Sequence, residues 1–151
     1  MIRFIMEYFS RKTLGLRRYV QLDYHSCGKQ AVKSVLNYFG EDIQETIDEL
    51  GTTRSDGTDE YQIRRFFKNL GYKVQTVRSV KKLIKAVDRG WPVILYIAEE
   101  DHWVALNGYS KNGVWITDSN PWNCSFRYWE DFVEEWGGYG LLINKSRRKI
   151  K

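Results

Sequence analysis

Four side chains in this sequence are of the types a thiol-based acyl transfer needs, in the chain order Gln21, Cys27, His102, Asp118. Cys27 sits in Ser26-Cys27-Gly28, at the point where an amphipathic helix begins. Unpaired backbone N–H groups and the positive end of the helix dipole favour thiolate over thiol there. His102 opens one strand-like stretch and Asp118 closes another, so a base can meet the carboxylate that orients it. Gln21 lies six residues before Cys27. Its amide N–H₂, with the Cys27 backbone N–H, suits an oxyanion formed when a thiolate attacks a carbonyl. Each residue alone has a plainer account. A lone cysteine is usually a packed small hydrophobe, a strand-start histidine is usually structural, an Asp before Ser-Asn-Pro usually serves a turn, and a glutamine is usually on the surface. Together they make up a nucleophile, a base, an orienting acid and an oxyanion donor.

The elements carrying these groups follow from periodicity. Ala31, Val32, Val35, Leu36 and Phe39 recur at three- and four-residue steps before Gly40, which predicts a helix with Cys27 on its buried face. Residues 42–50 read as a second helix with Ile43, Ile47 and Leu50 inward, and 51–57 as turn. Thr58 or Asp59 can cap a third helix over 60–70, with a stripe of Ile63, Phe66, Phe67 and Leu70. Residues 72–78 alternate like a strand. Ser79 caps a fourth helix bearing Val80, Leu83, Ile84 and Val87, which Gly90 ends. The run 91–98 is a central buried strand, with Pro92 at its start. Residues 102–109 and 114–118 form a hairpin with Asn112-Gly113 as its turn signal. A short helix around Trp129, Phe132, Val133 and Trp136 and a strand over 140–143 close the chain. A helical lobe followed by an antiparallel sheet is an α+β design.

In the hairpin, His102, Val104, Leu106 and Gly108 share one face of the first strand, and Val114, Ile116 and Asp118 one face of the second. If the register aligns those faces, imidazole and carboxylate are neighbours at the end of an aliphatic surface. A one-residue slip separates them. Two- and three-residue loops are both open at this stage.

Composition bounds the rest. The 151 residues suit one domain with a real core, parsed as an N-terminal segment 1–17, a main domain 18–144, whose bounds are those of the family resemblance given below, and a basic tail 145–151. Phe4, Ile5, Tyr8 and Phe9 suit one face of a short helix, and Arg18 to Gln21 an extended approach. Net charge is +5, concentrated near the ends, as in solvated tails, and no nucleic-acid partner is expected. Two cysteines make no disulfide framework and fit a reducing compartment. No signal h-region or membrane-length apolar run is present, so the expected location is cytoplasmic. His25 lies two residues before Cys27, and with His102 and Cys124 could be imagined as a zinc set, but His-x-Cys is not a usual zinc spacing and there is no Cys-x2-Cys, so no metal or other cofactor is expected. Trp122, just past Asp118, could shield a His–Asp bond from water, although ordinary packing accounts for most tryptophans.

With those residues in place the chain resembles papain-like cysteine peptidases. It is most similar to the bacteriocin-processing type, which includes double-glycine leader peptidases and their stand-alone relatives, and it resembles a relative without a transporter domain. The likeness rests on Gln21 six before Cys27-Gly28, the helix ending Val35-Leu36-Asn37-Tyr38-Phe39-Gly40, and Gly90-Trp91-Pro92 at the family's Gly-x-Pro strand. It extends to His102-Trp-Val-Ala-Leu-Asn-Gly108-Tyr109 and Asp118-Ser-Asn-Pro121. The departures are Ser26 where an acidic residue is common, Lys29-Gln30 after Cys-Gly, and Ser119-Asn120 before Pro121; they bear on substrate preference. The resemblance implies a papain-like fold and a cysteine peptidase acting on a peptide or protein through an acyl-enzyme, with catalytic Cys27, His102, Asp118 and Gln21. Deamidation or acyl transfer by the same groups, and a non-catalytic peptide-binding module, are the alternatives. The sequence assigns neither oligomeric state nor cleavage motif.

Overall fold

The structure is a computed structural model, and it describes residues 11–145. The expected apolar helix around Phe4–Phe9 and most of the basic tail lie outside those residues. Within them a mixed-order antiparallel sheet is covered by helices on both faces. Helix α1 (Cys27–Phe39) is followed by α2 (Ile43–Thr46), a 3-10 turn (Ile47–Leu50) and α3 (Glu60–Asn69). Strand β1 (Lys12–Thr13) precedes them; β2 (Tyr72–Val77), α4 (Val80–Asp88), β3 (Val93–Ile97), a second 3-10 turn (Ala98–Glu100), β4 (His102–Ser110) and β5 (Gly113–Thr117) come next. The described chain closes with β6 (Phe126–Tyr128), α5 (Trp129–Trp136) and β7 (Gly140–Lys145). Strand order is β2-β7-β3-β4-β5-β6, with β1 added beside β4, and every pairing is antiparallel.

Helix α1 forms where the apolar period puts Val32, Val35 and Leu36 inward, all fully buried. Each contributes about 1.5–3 kcal/mol by leaving water. Gly40 ends it at φ 76°, and its N–H returns to the carbonyls of Leu36 and Asn37. Asp59 and Gln62 bond reciprocally across the first turn of α3, and Ser79 accepts from Lys82 N–H at the start of α4. The region expected as one helix over 42–50 is instead a single α turn and a 3-10 turn. Ile47 and Leu50 are still buried.

The helical lobe α1–α3 packs on the sheet face bearing Ile94, Trp103, Leu141 and Ile143. Helices α4 and α5 cover the other face through Leu83, Ala86, Val87, Phe132 and Trp136. The antiparallel sheet is therefore buried on both sides, which is why β3 reads as an uninterrupted apolar run. No described helix is long and apolar enough to cross a membrane.

The β4–β5 turn differs from the expectation. Ser110 pairs with Gly113, so the loop is Lys111-Asn112, and neither has the positive φ that an Asn-Gly centre would adopt. Gly113 begins β5 because a Cβ there would lie 2.2 Å from the Arg127 carbonyl oxygen and 2.6 Å from the Phe126 ring.

Candidate active site

Cys27 is the first residue of α1, half-buried, free, and packed at the rim of the helical lobe. Its position against β4 depends on Gly28. A Cβ at Gly28 would lie 2.8 Å from Thr58 Cβ and 3.2 Å from Trp103 Cδ1, so only glycine lets the helix start this close to the strand. Trp103 Nε1 donates to the Thr58 carbonyl at 3.0 Å and fixes the same contact from the sheet side. Before the helix, Asp23 Oδ1 accepts from the backbone N–H groups of His25 and Ser26 at 3.0 and 2.8 Å, holding the loop in a tight turn. At the first turn of α1 the leading N–H groups have no intrahelical acceptor and face the thiol's surroundings.

His102 and Asp118 meet because of a bulge. Near the turn, Gly108 pairs with Trp115; farther along, Leu106 pairs with Ile116 and Ala105 with Thr117. Asn107 is the extra residue, and it shifts the register by one. Continued without it, the turn-side register would set Asp118 opposite Ala105, on the sheet face away from His102. With it, Asp118 falls on the face of Val104 and His102. The bulge is strapped in place by the N-terminal segment: Leu14 N–H donates to the Asn107 carbonyl at 2.7 Å and Leu16 N–H to its side-chain oxygen at 2.8 Å. Gly108 admits β1 here, since a Cβ would sit 2.0 Å from the Lys12 carbonyl oxygen.

His102 Nε2 lies 2.6 Å from Asp118 Oδ1, and both residues are buried. Burial alone would lower the His102 pKa. Hydrogen bonds to Asp118 and Cys27, and their negative charges, outweigh it and push the imidazolium up to about 10. Burial likewise opposes the Asp118 charge, yet bonds from His102, the Asn120 N–H and Asn123 hold its carboxyl below the usual range. With Nε2 engaged by the carboxylate, Nδ1 is the ring nitrogen left for sulfur.

Asn120 belongs to the turn expected after Asp118, whereas Asn123, Arg127 and Glu100 had no signal in the sequence. Asn120 N–H donates to Oδ1 at 2.9 Å and Asn123 Nδ2 to Oδ2 at 2.9 Å. Arg127 of β6 lies 3.6 Å from Oδ2 and touches Glu100 and Glu135. Glu100, His102 and Asp118 offer ligand atoms within 4.8 Å of one another, and the Arg127 guanidinium lies against the same carboxylates, 3.0 Å from Glu100. The zinc set weighed from sequence is not assembled in that group: His25 lies 3.5 Å from Asp23, and Cys124 is exposed. Trp122 shields nothing and packs on nothing; it is 91% exposed, and the groups behind Asp118 are Asn123 and Arg127.

Gln21 is half-buried and tied to Ser119, the residue after Asp118. Its backbone N–H donates to the Ser119 carbonyl at 3.0 Å, and its Oε1 accepts from Ser119 Oγ at 2.5 Å. One N–H of its amide donates to the Asp23 carbonyl at 2.7 Å, leaving the second uncommitted. The loop before Cys27 and the loop after Asp118 are thus tied together.

Cys27 opens into a cleft of about 590 Å³ walled by Tyr24, His25, Thr58, Tyr96, Asp101 and Trp103, among others. The Tyr96 and Trp103 rings lie 5.0 Å apart, and the Tyr96 hydroxyl donates to Asp101. Asp101 takes a left-handed conformation, φ 49°, in the turn that leads directly into His102. A half-buried thiol beside a His–Asp pair, opening on an aromatic-walled cleft, is suited to nucleophilic attack on an extended acyl substrate.

Known proteins share this arrangement of elements. The structure resembles a double-glycine motif protease from an AMS/PCAT transporter, solved with its leader peptide, with a TM-score of 0.74 at 20% identity over 89% of this chain and 94% of the other. It also resembles the peptidase domain of Streptococcus ComA, a bifunctional ABC transporter, with a TM-score of 0.70 at 22% identity over 85% and 97%. A C39-like peptidase from Bacillus anthracis gives 0.69 at 17% identity over 91% and 99%. By sequence, the lactococcin-A transport/processing ATP-binding protein LcnC of Lactococcus lactis is 26% identical over 131 residues, covering 83% of this chain and 18% of LcnC. The pediocin PA-1 transport/processing ATP-binding protein PedD of Pediococcus acidilactici is 24% identical over 128 residues, covering 82% and 18%. The chain therefore spans under a fifth of the length of these curated relatives. The Peptidase C39 family model covers residues 17–148, beginning just after the strap across the Asn107 bulge and including every later helix and strand described here, and the chain accordingly belongs to that family of cysteine-type peptidases.

Proposed function

We propose that this protein hydrolyses peptide bonds through an acyl-enzyme, with Cys27 as nucleophile, His102 as proton carrier, Asp118 as orienting carboxylate and Gln21 as oxyanion donor. In this reading His102 Nδ1 takes the thiol proton, and the Cys27 sulfur adds to the scissile carbonyl carbon. The oxyanion is met by the Cys27 backbone N–H and the uncommitted N–H of Gln21. The intermediate collapses, the C–N bond breaks, and the imidazolium gives its proton to the leaving amine. A water then adds to the thioester; His102 takes its proton and returns it to sulfur as the acid product leaves. Asp118 stays ionised throughout and stabilises the imidazolium.

The observation that supports this reading is the buried His102 Nε2–Asp118 Oδ1 pair at 2.6 Å, with Cys27 among the groups that raise the imidazolium and half-buried at the cleft. One structural neighbour holds a leader peptide, which supports an extended peptide as substrate here. The test is incubation with a mixed peptide library and mass spectrometry of the products. Severed chains, each cut adding one water, and loss of cleavage in Cys27→Ala are expected. Intact chains carrying a side-chain amide-to-acid change would identify a deamidase, and no turnover alongside retained peptide binding would identify a binding module.

A further inference from the structure

A largely buried guanidinium stands behind the His102–Asp118 pair. The Arg127 side chain is 10% exposed, and three carboxylates surround it. Nη2 lies 3.6 Å from Asp118 Oδ2, while Nη1 lies 3.0 Å from both Glu100 Oε2 and Glu135 Oε1. Asn123 Nδ2 bridges the same two acids, donating to Asp118 Oδ2 at 2.9 Å and to Glu100 Oε1 at 3.4 Å. Glu100 and Asp118 are therefore members of one compact cluster. The charged groups facing Asp118 are His102 from β4, Glu100 from the second 3-10 turn and Arg127 from β6; Glu135 of α5 faces it across the guanidinium.

Two carboxylates this close repel; the His102 imidazolium offsets this on the Oδ1 side only, so losing the guanidinium between Asp118 Oδ2 and Glu100 makes Asp118 easier to protonate. A protonated Asp118 holds no imidazolium. The same contacts fix the rotation of the carboxylate, because Oδ2 is held by Arg127 and Asn123 while Oδ1 faces His102. We propose that Arg127 is a positioning residue for the thiol chemistry: it keeps Asp118 ionised and aimed at His102, and so sets the lower pH bound of the active site. The inference rests on the roles given above to Cys27, His102 and Asp118. Lysine is a point charge that can serve Asp118 and Glu100 but cannot span three acids as a planar fork does.

The test is the rate of Cys27 alkylation by iodoacetamide across pH in the intact protein, located by peptide mapping. In R127M the acid limb is expected to move up by about one pH unit, so the rate on that limb falls roughly tenfold. Glu100→Gln added to R127M removes the repelling charge and should return the limb to the wild-type position. R127K should leave it within a few tenths of a unit. A role in packing alone would destabilise R127M without moving the limb, and E100Q would restore nothing. An R127M limb that coincides with wild type, or one that E100Q fails to restore, overturns the proposal. Should R127M not fold, E100Q alone carries the test: its limb must move below that of wild type, and an unmoved limb overturns the proposal. A wild-type rate indifferent to His102→Ala would instead count against the catalytic reading itself, separately from Arg127.

Discussion

Replacing Asp118 with Asn keeps the side chain's shape and removes its charge from beside His102. The His102 imidazolium stands at about 10 against an ordinary 6.5, a rise of about 3.5 units. At about 1.4 kcal/mol per unit this is about 5 kcal/mol, the net of what Asp118 and Cys27 contribute and what burial takes away. With half assigned to Asp118, D118N should lose about 2–3 kcal/mol of stability near pH 6. The pH window follows from the two directions. A raised imidazolium stabilises the fold fully below about pH 6.5, and this is lost as pH rises toward 10. A depressed Asp118 carboxyl stabilises it above the ordinary carboxylate value of about 3.9, and this is lost as pH falls through the lower folded value. The gap between wild type and D118N should therefore be widest between about pH 4.5 and 6.5 and narrow toward pH 10, to what remains from the lost Asn120, Asn123 and Arg127 contacts. Urea unfolding followed by fluorescence of the six tryptophans measures it. Imidazole NMR adds a direct reading, simplified because the chain has only His25 and His102. The His102 midpoint should drop by about two units in D118N. A gap that is the same at pH 6 and pH 10, or an unmoved midpoint, would refute the reasoning.

Gly28→Ala drives a methyl against Thr58 and Trp103, so it should cost about 1–3 kcal/mol and slow Cys27 alkylation at least about tenfold by displacing the helix start. Melting curves and labelling rates check the two effects separately. Gln21→Ala should lower kcat by about a hundred- to a thousand-fold with little change in KM once a peptide substrate is known, because in the proposed mechanism the second amide N–H serves the oxyanion. Asn107→Ala strips the acceptor from the buried Leu16 N–H and should cost about 1–3 kcal/mol by urea unfolding, while the bulge, held by the Asn107 carbonyl to Leu14, keeps Asp118 on the His102 face.

What the sequence reveals of this molecule is local. Helix α1 is legible because Val32, Val35 and Leu36 repeat at helical spacing and Gly40 stops it, and the polar ends of the hairpin are legible because every other residue between them is aliphatic or glycine. The pairing itself was open. It depends on Asn107, whose extra position in β4 is stabilised by Leu14 and Leu16, some ninety residues away in the chain. No period in residues 102–118 reports that contact. Arg127, Asn123 and Glu100 were silent for a similar reason, since β6 is three residues long and its partners come from a 3-10 turn and α5. Gly28 read as part of a motif, whereas its physical role is the 2.8 Å approach to Thr58. The second face of the sheet was equally hidden, because the apolar stripe of α4 shows that it packs but not on which side.

The most direct measurement compares the two cysteines of the native protein with each other. Cys124 is exposed and Cys27 half-buried, so accessibility alone has Cys124 react first. At pH 6, limited iodoacetamide labelling and peptide mapping should find Cys27 modified ahead of Cys124, with the order reversed in His102→Ala. Cys124 labelled first in the wild type, or Cys27 labelled first whether or not His102 is present, would contradict an activated thiol at the head of α1.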